Sequence, residues 1–594
     1  MARVIFLLAL LACLSLPAAA QKPPDETIIV TANAYPVPFN SVARTVFMLT
    51  REEIQKLPVR SVVELLGYAS SVDVRTRGAL GAQADFSVRG SNFSQVLVLV
   101  DGVRINDPQT GHHNADLPLS LADVDRVEVL YGPGSALHGA DAFGGIINII
   151  TVKEGKRFRA SGATGQYDLL DGSLQTGFQH RSVAQSFSFF GSRSAGFMFD
   201  RDFRTTGFTS RTSLGESTSL FVGFVDKEFG ANGFYGPSPS KEWTNQTLIS
   251  GRHQAAAGRW MASIQGSYRT HGDRFTWDIR RPGFFENRHR THAAGFSGKA
   301  QISLQDAVTL NFGAEAGRDW ITSSNLGNHV YVRGSAFAEA QLKFGGGFVI
   351  YPGFRFDHYS TFGSAASPSL SVSWWPWSRV KIRSAAGRAF RAPTFTELYY
   401  RDPNHQASAA LRPEKAWGAE VGTEVYPHNN WMGSATLFSR RERDVIDWVR
   451  RSPAEKWKTA NIREFHVQGA ELTLNRSFAS GAHWLRAHYT FIAGDPGPID
   501  YQSKYVLDYA RHSWAASATA SLPHSLGCSL KMGYRRHADG RSYRVLDGRL
   551  ARKFGEVELS LDGSNLLNAG YQEVTGVDMP GRWLSMRLTW SPSP

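Results

Sequence analysis

Imidazole and amide side chains are concentrated in one loop-forming segment near the N-terminus. Residues 106–116 place His112 and His113 side by side among asparagine, glutamine and aspartate side chains. A further histidine, His405, lies in a turn-rich segment far along the chain. Imidazole is a common metal ligand, but two groups do not complete a metal site. These histidines are therefore interpreted as polar loop residues, with direct coordination of a metal centre as the alternative.

Catalytic signatures are missing from the sequence. It contains neither the G-x-S-x-G nucleophile elbow nor the H-E-x-x-H metalloprotease motif. The stretch Gly132-Pro133-Gly134-Ser135 follows a predicted strand, but Leu137 stands where a dinucleotide-binding loop needs glycine. A turn explains these glycines better than a phosphate-binding loop does. We therefore predict that the protein is not an enzyme.

Composition narrows the structural class. The 594 residues are 42% hydrophobic, 20% charged and 12% aromatic, which is too apolar for a disordered chain. After the N-terminal segment, the sequence has no apolar stretch long enough for a membrane helix. The two cysteines exclude a disulfide scaffold and a cysteine-rich zinc module. The net charge of +13 favours an anionic partner, such as nucleic acid, a membrane surface or an acidic ligand.

The N-terminal segment predicts export. Arg3 precedes the apolar stretch Val4–Leu16, and residues 17–20 read Pro-Ala-Ala-Ala. A basic start, a short apolar core and an A-x-A site are typical of a signal peptide, here residues 1–20. Its removal leaves Cys528 as the single cysteine, so no internal disulfide can form. Export also argues against nucleic acid as a partner, and the basic residues fit lipopolysaccharide phosphates or an ordinary solvated surface instead.

Residues 36–152 have the pattern of a compact mixed α/β domain. Thr50 with Glu53, and Ser61 with Glu64, have the spacing of a capping box and precede apolar residues. This spacing predicts two short helices. Strand-length apolar runs such as Val96–Val100 predict a sheet in the same domain.

From residue 153 to residue 590, apolar and polar residues alternate with a period of two, as Glu556–Asp562 illustrates. At about 20 residues for a strand and its connection, this region predicts about 22 antiparallel strands. Packed β-sandwiches would explain each strand equally well, whereas a propeller would need a blade repeat that we do not find. Aromatic residues at strand ends, such as Trp374-Trp375-Pro376-Trp377, favour a membrane barrel. The predicted fold class is an all-β transmembrane barrel with a mixed α/β plug domain in its lumen.

An ordered series of motifs resembles those of one family, the TonB-dependent outer-membrane receptors. The first is a short β-prone segment between prolines that resembles the TonB box, although an ordinary first strand of the plug is the alternative. Its residues are Asp25, Glu26, Thr27, Ile28, Ile29, Val30, Thr31 and Ala32. The plug and barrel motifs that match are Phe86–Gly90, Val98–Val103, Val127–Gly139, Gly144–Thr151, Phe390–Tyr399, Leu411–Glu414 and Asn565–Tyr571. The resemblance covers essentially the whole mature chain.

The resemblance implies an organisation and a mode of action. It implies a signal peptide at residues 1–20, a TonB-box segment at 21–35, a plug at 36–152, a barrel at 153–590 and a tail at 591–594. The implied activity is uptake across the outer membrane, driven by proton-motive force that TonB and its inner-membrane energising complex deliver. Members of the family usually end in an aromatic residue, whereas Trp590 is followed here by Ser-Pro-Ser-Pro. Because the last strand is intact, we expect normal assembly with a short tail.

The resemblance also implies where a ligand binds, namely where apical loops of the plug meet extracellular loops of the barrel. The candidates in the plug are Arg77, Gln83, Asn106, Gln109, His112, His113 and Asn114. The candidates in the barrel loops are Tyr235, Phe285, Tyr400 and His405. Haem receptors of the family place a ligand histidine in the interval that contains His405. The plug positions that resemble a charged plug–barrel lock are Arg89, Asp101 and Glu128, each with a local ion pair as the alternative.

The chain length and the stretch Glu397-Leu398-Tyr399-Tyr400 most resemble the compact cobalamin-receptor branch. A cobalamin-like organometallic ligand is therefore the leading expectation. Haem and ferric siderophores are alternatives within the family, and a passive channel or a surface adhesin are alternatives outside it. Cobalamin receptors use a carboxylate-rich loop for Ca²⁺, which takes six to eight oxygen ligands. Asp226, Glu228 and Glu242 form only a sparse set, which weakens a Ca²⁺ site.

The expected partners follow from these interpretations. They are TonB, outer-membrane lipid including lipopolysaccharide, the small ligand and a periplasmic binding protein. Nucleic acid is not expected to bind, and no permanently bound cofactor is expected. The barrel is expected to be a monomer in the outer membrane.

Overall fold

The computed structural model describes residues 29–30, 35, 37–38, 41–153, 157–478 and 482–592. The predicted signal peptide lies outside these residues, and so do the last two residues of the tail. Of the predicted TonB box, only Ile29 and Val30 are described; Asp25, Glu26, Thr27, Ile28, Thr31 and Ala32 lie outside. Within the described ranges, no helix is long and apolar enough to cross a membrane.

The N-terminal domain, which we call the plug, combines short strands with short helices. Its strands are β1 (Ile29–Val30), β2 (Val37–Pro38), β3 (Val46–Thr50), β4 (Val72–Thr76), β5 (Ala84–Val88), β6 (Val96–Val100), β7 (Val103–Arg104), β8 (Val124–Tyr131) and β9 (Gly145–Thr151). Its α-helices are α1 (Arg51–Lys56), α2 (Val62–Leu66) and α3 (Ser135–His138). Its 3₁₀ turns are Ala79–Gly81, Phe93–Gln95, Gly111–His113 and Leu121–Asp123.

The two predicted helices form where the capping residues indicate. At α1 the capping box is complete, because Glu53 N donates to Thr50 Oγ1 at 3.4 Å and Thr50 N donates to Glu53 Oε2 at 3.0 Å. At α2 the Ser61 hydroxyl accepts from Glu64 N at 3.3 Å. The Glu64 carboxylate, however, accepts from Arg60 N at 2.8 Å and not from the backbone N–H of the N-cap residue Ser61. The second hydrogen bond of the capping box is therefore displaced by one residue.

The core of the plug is a five-stranded sheet in the order β3-β8-β9-β6-β7. Strands β6 and β9 are parallel, and the remaining pairs are antiparallel. All five residues of β6 are buried, which explains why this strand is a continuous apolar run and does not alternate. A two-stranded sheet, β4-β5, lies beside it.

The rest of the chain forms strands that close into one barrel. In chain order they are β10 (Arg157–Gly165), β11 (Leu169–His180), β12 (Val183–Ser194), β13 (Phe203–Leu214), β14 (Thr218–Gly230), β15 (Lys241–Ala257), β16 (Trp260–Thr276), β17 (Glu286–Gln305), β18 (Val308–Ser323), β19 (His329–Phe344), β20 (Phe348–Tyr359), β21 (Gly363–Trp377), β22 (Val380–Arg391), β23 (His405–Gln406), β24 (Glu414–Val425), β25 (Trp431–Arg450), β26 (Trp457–Phe478), β27 (His483–Asp495), β28 (Gln502–Ser503), β29 (Ala510–Leu522), β30 (Leu526–His537), β31 (Ser542–Phe554), β32 (Val557–Ser564), β33 (Gln572–Val574), β34 (Val577–Asp578) and β35 (Trp583–Trp590). A 3₁₀ turn, Gly345–Gly347, joins β19 to β20.

Four of these strands, β23, β28, β33 and β34, are two- or three-residue pieces within loops, and the others form the barrel wall. The wall has 22 strands, and β10 closes it by pairing with β35, as in the register Ala160↔Trp590. The predicted fold class is thereby confirmed. The final aromatic residue, Trp590, is paired on both sides although it is not the last residue of the chain.

The period-two pattern arises because the two faces of the wall have different neighbours. In β24 the residues at even positions from Glu414 to Glu424 are buried against the plug, whereas Trp417 and Val421 face outward and are exposed. The longer connections, such as residues 392–413, 496–509 and 565–582, lie at one end of the barrel. The opposite end has short turns, so the loops that could contact a ligand are gathered on one side.

The longest of these connections, residues 392–413, folds inward and touches the plug. Helix α4 (Phe395–Tyr399) begins at Thr394 with a complete capping box. At its first turn, Phe395 N donates to Pro108 O and Thr396 N donates to Gln109 O, each at 2.9 Å. A loop of the barrel and the apical segment of the plug are therefore joined by backbone hydrogen bonds.

A buried arginine fastens the plug to the barrel wall. Arg89 is 2% exposed, and its guanidinium pairs with Glu471 at 2.6 Å and with Glu420. The same guanidinium lies over the rings of Phe438 and Tyr131, at 4.5 Å and 5.0 Å from their centroids. Because Glu420 and Glu471 belong to β24 and β26, this pair crosses from the plug to the barrel.

The other two predicted lock residues differ from each other. The Asp101 carboxylate pairs with Arg211 of β13 at 2.6 Å, so it too joins the plug to the wall. Glu128 is buried within β8 and pairs with Arg126 of the same strand at 2.8 Å. The geometry therefore places Arg89 and Asp101 at the plug–barrel boundary and gives Glu128 a partner inside the plug.

Replacement of Arg89 by methionine should destabilise the plug by about 3–5 kcal/mol, because buried Glu471 would lose its cation and Glu420 would keep only Arg383, at 3.6 Å. Urea titration followed by hydrogen exchange of residues 41–153 would measure this change. The triple variant Arg89→Met, Glu420→Gln and Glu471→Gln removes the orphaned charges and should recover most of the loss. Unchanged protection in the single variant would contradict the assigned role of the pair.

Candidate ligand-binding cleft

A cleft opens at the long-loop end, between the apical segment of the plug and the barrel loops. Its empty space, counted together with its open mouth, is about 1080 Å³. The lining residues come from plug turns, wall strands and long loops. They are Asn92, Phe93, Ser94, Gln109, Thr110, His112, His113, Tyr235, Glu242, Asp273, Phe275, Trp277, Asn287, His289, Thr394, Thr396, Glu397, Tyr400, Asp402, His405, Ile446, Asp447, Trp448, Lys504 and Tyr505.

The plug contributes a tight turn, Gly111–His113, to the floor of the cleft. The Thr110 hydroxyl caps this turn by accepting from His112 N at 3.4 Å. A side chain at Gly111 would not fit, because a Cβ there would lie 2.7 Å from the ring of Phe93 and 3.0 Å from Ser94 Cα. Glycine thus allows the two plug turns to touch. As a result, His112 stacks on Phe93 with 4.2 Å between ring centroids.

Behind this turn, the predicted residues Arg77 and His112 are joined through the carboxylate of Asp85, which was not among the predicted residues. Asp85 pairs with His112 Nδ1 at 2.7 Å and with Arg77 at 2.8 Å. Burial raises the pKa of Asp85, but Arg77 and His112 outweigh it and hold that pKa well below its usual range. Arg77 therefore positions His112 through Asp85, and it lies beside the cleft, not in its lining.

The barrel loops supply a second histidine to the cleft. His405 Nδ1 lies 2.9 Å from Asp402 Oδ2, and His405 Nε2 lies 2.9 Å from Lys504 Nζ. A lysine ammonium can only donate, so Nε2 accepts and the ring proton sits on Nδ1, where it is donated to Asp402. The ring meets Trp448 edge-on, with 5.2 Å between the two centroids.

Below the turn, the plug and the wall share a buried polar network. Gln109 Nε2 donates to Asp273 Oδ2 at 2.9 Å, and Asp107 pairs with Arg269 at 2.7 Å. Asp116 pairs with Lys227 at 2.9 Å and with the His271 ring, also at 2.9 Å. These contacts connect one plug segment, residues 107–116, to strands β14 and β16. The floor of the cleft is therefore held by charge as well as by packing.

His113 lies at the centre of this network. Its Nε2 is 3.4 Å from Asp273 Oδ2, and its Nδ1 is 3.7 Å from Asp116 Oδ2. Burial lowers the pKa of His113, but the nearby Asp273 carboxylate, with the charges of Asp116 and Asp107, raises that pKa to about 10. His113 therefore carries a proton that balances the surrounding carboxylates.

The structure brings together part of the predicted ligand-contact set. The predicted residues that line the cleft are Gln109, His112, His113, Tyr235, Tyr400 and His405. Gln83 adjoins it, because its Nε2 donates to the Tyr235 hydroxyl. Whether any of them contacts a ligand stays a prediction.

Besides Arg77 and Gln83, three further predicted residues do not line the cleft. Asn106 accepts from Val98 N and donates to Val96 O, each at 2.8 Å, and so holds the edge of β6. Asn114 accepts from Asp107 N at 3.0 Å and closes the apical segment on itself. Phe285 contributes a carbonyl that accepts from Trp277 N at 3.1 Å, and Trp277 is the neighbour that reaches the cleft.

Most of the wall residues that line the cleft, and several of its aromatic residues, are not predicted by the sequence. Phe275 and Trp448 line the cleft from wall strands, where nothing in the period-two pattern distinguishes them from other lumen-facing aromatics. Phe93 and Tyr505 line it from a plug turn and a barrel loop. Lys504 and Tyr505 stand at the end of a turn-rich segment, which was the one available signal. Asp273 lies within a strand and carries no local motif.

The carboxylates considered for Ca²⁺ do not converge. Asp226 and Glu228 face outward on β14, and Glu228 pairs with Lys241 at 2.7 Å. Glu242 faces the lumen, where it accepts from the Tyr235 hydroxyl at 3.0 Å. Since the wall separates these groups, they do not form one site.

Comparison with known proteins identifies both parts of the chain. The model described as TonB dependent receptor-like, beta-barrel matches residues 130–571, and the TonB-dependent Receptor Plug Domain matches residues 38–146. The vitamin B12 transporter BtuB of Vibrio vulnificus is 26% identical over 585 residues, which covers 92% of each chain. The protein of the same name from Photobacterium profundum is 24% identical over 550 residues, covering 86% of this chain and 87% of that relative.

Solved structures show the same fold. The siderophore receptor PirA from Acinetobacter baumannii superposes with a TM-score of 0.76 at 15% identity, covering 92% of this chain and 98% of that one. A mutant of the ferric enterobactin receptor PfeA from Pseudomonas aeruginosa superposes with a TM-score of 0.75 at 17% identity. The match covers 93% of this chain and 99% of that one. At these identities the likeness shows the fold alone.

These matches decide the broad class of the protein. Proteins of this kind are transporters or receptors of the Gram-negative outer membrane, not enzymes, and they act on small-molecule ligands with the help of TonB. The closed barrel, the plug inside it and the two family models agree over most of the sequence. The chain therefore belongs to the TonB-dependent receptor family.

Proposed function

We propose that this protein binds a large, scarce nutrient on the extracellular side and imports it by a TonB-driven movement of the plug. The observation that carries this proposal is the shared construction of the cleft, whose floor is plug and whose walls are barrel. A ligand held there touches the plug directly. It can bind from outside, but it passes inward only when the plug moves.

The interior of the barrel argues against a passive channel. The plug is held by buried pairs that include Arg89 with Glu420 and Glu471, and Asp107 with Arg269. Breaking one buried pair costs about 3–5 kcal/mol, so opening a path through the lumen requires work. An energy source such as TonB, and not diffusion alone, fits this arrangement.

The chemistry of the cleft favours a corrinoid such as cobalamin. Its lining holds five carboxylates (Glu242, Asp273, Glu397, Asp402 and Asp447) but a single lysine, Lys504. Apart from Lys504, the lining offers a strongly anionic ferric catecholate no lysine or arginine, so its charge would be poorly compensated there. The aromatic lining suits a large, partly conjugated ligand of low charge, since such surfaces bind through contact area with few polar contacts. The two BtuB relatives, named vitamin B12 transporters, support the same ligand.

A siderophore is the second candidate, because the solved structures that resemble this fold include receptors named for siderophores and ferric enterobactin. Haem receives less support. The only ring nitrogen that His405 leaves unprotonated already accepts from Lys504, so an iron ligand would have to displace that ammonium.

The energised step is proposed to use residues 25–32. Of these, Ile29 and Val30 form a short strand that pairs with Pro38 and Val37. A strand this short is weakly held and can be taken up by the edge of a TonB sheet, where backbone groups make the new hydrogen bonds. The signal peptide proposed at residues 1–20 accounts for export, and a periplasmic binding protein is proposed to receive the ligand.

Contact with lipopolysaccharide is proposed for the outer surface near the long-loop end. Exposed arginines face outward there on strands β16, β17 and β25. They are Arg274, Arg288, Arg290, Arg441 and Arg443. Guanidinium groups suit bidentate contacts with phosphates, so this belt fits the lipid headgroups around a single barrel.

Substitution Ile29→Pro should abolish energised uptake but leave ligand binding unchanged. Proline removes the backbone N–H that strand addition needs, and it fixes φ, while no residue of this segment lines the cleft. Accumulation of radiolabelled cyanocobalamin in cells with and without TonB would measure uptake, and binding to isolated membranes would measure affinity. Ile29→Val is the matched control and should transport normally. Normal uptake by the proline variant would contradict the role of residues 25–32.

Substitution Trp448→Ala should weaken cyanocobalamin binding by about tenfold or more, because truncating a buried aromatic contact costs on the order of 1.4 kcal/mol or more. Equilibrium binding to purified protein measures this effect. Trp417→Ala, on the outward face of β24, is the matched control and should bind as the parent does. If the parent binds a ferric catecholate and not cyanocobalamin, the second candidate is correct.

A further inference from the structure

We infer that His113, Glu242 and Asp273 form a binding site for a labile divalent transition-metal ion in the floor of the cleft. This site goes beyond the proposed transport function, because the ion is a component of the protein and not the transported ligand. It would join the apical turn of the plug to strands β15 and β16 of the wall.

The three side chains converge from different parts of the fold. One ligand atom of each lies within 4.8 Å of those of the other two. His113, Glu242 and Asp273 are only 4%, 2% and 8% exposed. All three also border the cleft, so an ion can reach them from the extracellular side. Burial with one open approach is typical of a metal site that keeps a position for water.

The spacing matches metal coordination. His113 Nε2 and Asp273 Oδ2 are 3.4 Å apart, which is long for a hydrogen bond. Two ligands of a tetrahedral ion with bonds of about 2.1 Å also lie about 3.4 Å apart. The Glu242 carboxylate oxygen lies within 4.8 Å of the other two ligand atoms, so it needs to approach them by less than the length of one metal–ligand bond. The present arrangement is therefore near the geometry of a loaded site.

An unpartnered oxygen points to a missing ligand. Asp273 Oδ1 is buried and makes no hydrogen bond, although buried carboxylate oxygens are almost always paired. The other oxygen, Oδ2, accepts from Gln109 Nε2 at 2.9 Å, which fixes the carboxylate plane. An ion bound by both oxygens of this carboxylate would keep the Oδ2 spacing to His113 and would also satisfy Oδ1, the atom that the protein leaves unsatisfied.

Neighbouring groups already hold the proposed ligands in place. The Tyr235 hydroxyl donates to Glu242 Oε2 at 3.0 Å. Asp116 Oδ2 lies 3.7 Å from His113 Nδ1, the ring nitrogen that faces away from the site. Carboxylates in this position orient a metal-binding histidine in many proteins.

A second group of residues, His113 with Asp116 and His271, has similar spacing but fits less well. Asp116 is already paired with Lys227 at 2.9 Å and with His271 at 2.9 Å. Binding there would require an ammonium to leave a buried carboxylate. The group that includes Glu242 and Asp273 needs no such exchange.

The donor set selects the class of ion. One imidazole nitrogen and two carboxylates suit Zn²⁺, Fe²⁺, Co²⁺ or Mn²⁺, whereas Ca²⁺ prefers six to eight oxygens. The site requires three free coordination positions. A metal that a chelator already surrounds cannot supply them, so the ion is a hydrated one and not the centre of a transported complex.

Zinc is the probe for the test. We expect metal-stripped full-length protein in detergent to bind one Zn²⁺ per chain in isothermal titration calorimetry. Zinc K-edge absorption should then show one imidazole nitrogen among oxygen ligands. Glu242→Gln and Asp273→Asn keep the side-chain shape and should each weaken binding at least about 100-fold, since changes to outer partners alone cost about 10–100-fold. The matched control is Asp402→Asn, a cleft carboxylate outside the site, which should bind as the parent does.

The outcomes separate this site from its alternatives. Failure of the parent to bind Zn²⁺ would overturn the inference, and so would unchanged affinity in both Glu242→Gln and Asp273→Asn. Loss of binding in Asp116→Asn together with normal binding in Glu242→Gln would also overturn it, in favour of the deeper group. Melting of each variant without metal checks that the barrel is folded. Cyanocobalamin binding in the same variants tests the transport proposal separately.

Discussion

Charge buried in the lumen of the barrel is the constraint on which the rest of the structure depends. The plug carries Arg89, Asp107 and Asp116 into a space closed off from bulk water, and the wall supplies Glu471, Arg269 and Lys227 at 2.6–2.9 Å. An uncompensated buried charge costs several kcal/mol, so the plug is stable only in an orientation that pairs these three groups with the wall. That orientation determines which plug residues face the long loops.

The cleft is a consequence of the same pairing. Residues 107–116 are held from below by the wall and from above by backbone bonds from Phe395 and Thr396. The turn at Gly111 then brings His112 and His113 to the surface of the plug, where barrel loops enclose them. Under the proposed function, a TonB-driven shift of the plug would separate the plug residues of the cleft from its barrel residues. This separation would lower the affinity for the ligand. Binding and release are thereby coupled through one set of contacts.

Local sequence rules predicted the architecture well, for identifiable reasons. The lipid-facing side of the wall takes apolar side chains and the lumen-facing side takes polar ones. Apolar and polar residues therefore alternate along each wall strand, as Glu420 and Val421 do in β24. Thr50 and Glu53 predicted the start of α1 because capping depends only on neighbouring residues. Residues 106–116 were predicted as one ligand-binding loop, but their side chains have different roles in the structure. Gln109, His112 and His113 reach the cleft, whereas Asn106 and Asn114 satisfy plug backbone groups.

The sequence by itself determined the class of the molecule: a signal-like N-terminus, a mixed plug, an alternating barrel and family motifs in order, because each of these depends on residues close together in the chain. Only the tertiary structure decided the partners. Arg89 meets a carboxylate 382 residues away, Gln109 one 164 residues away, and Lys504 a histidine 99 residues away. Such pairs form only when the sheet closes and the plug is seated inside it, and that closure brings together residues that no local pattern relates.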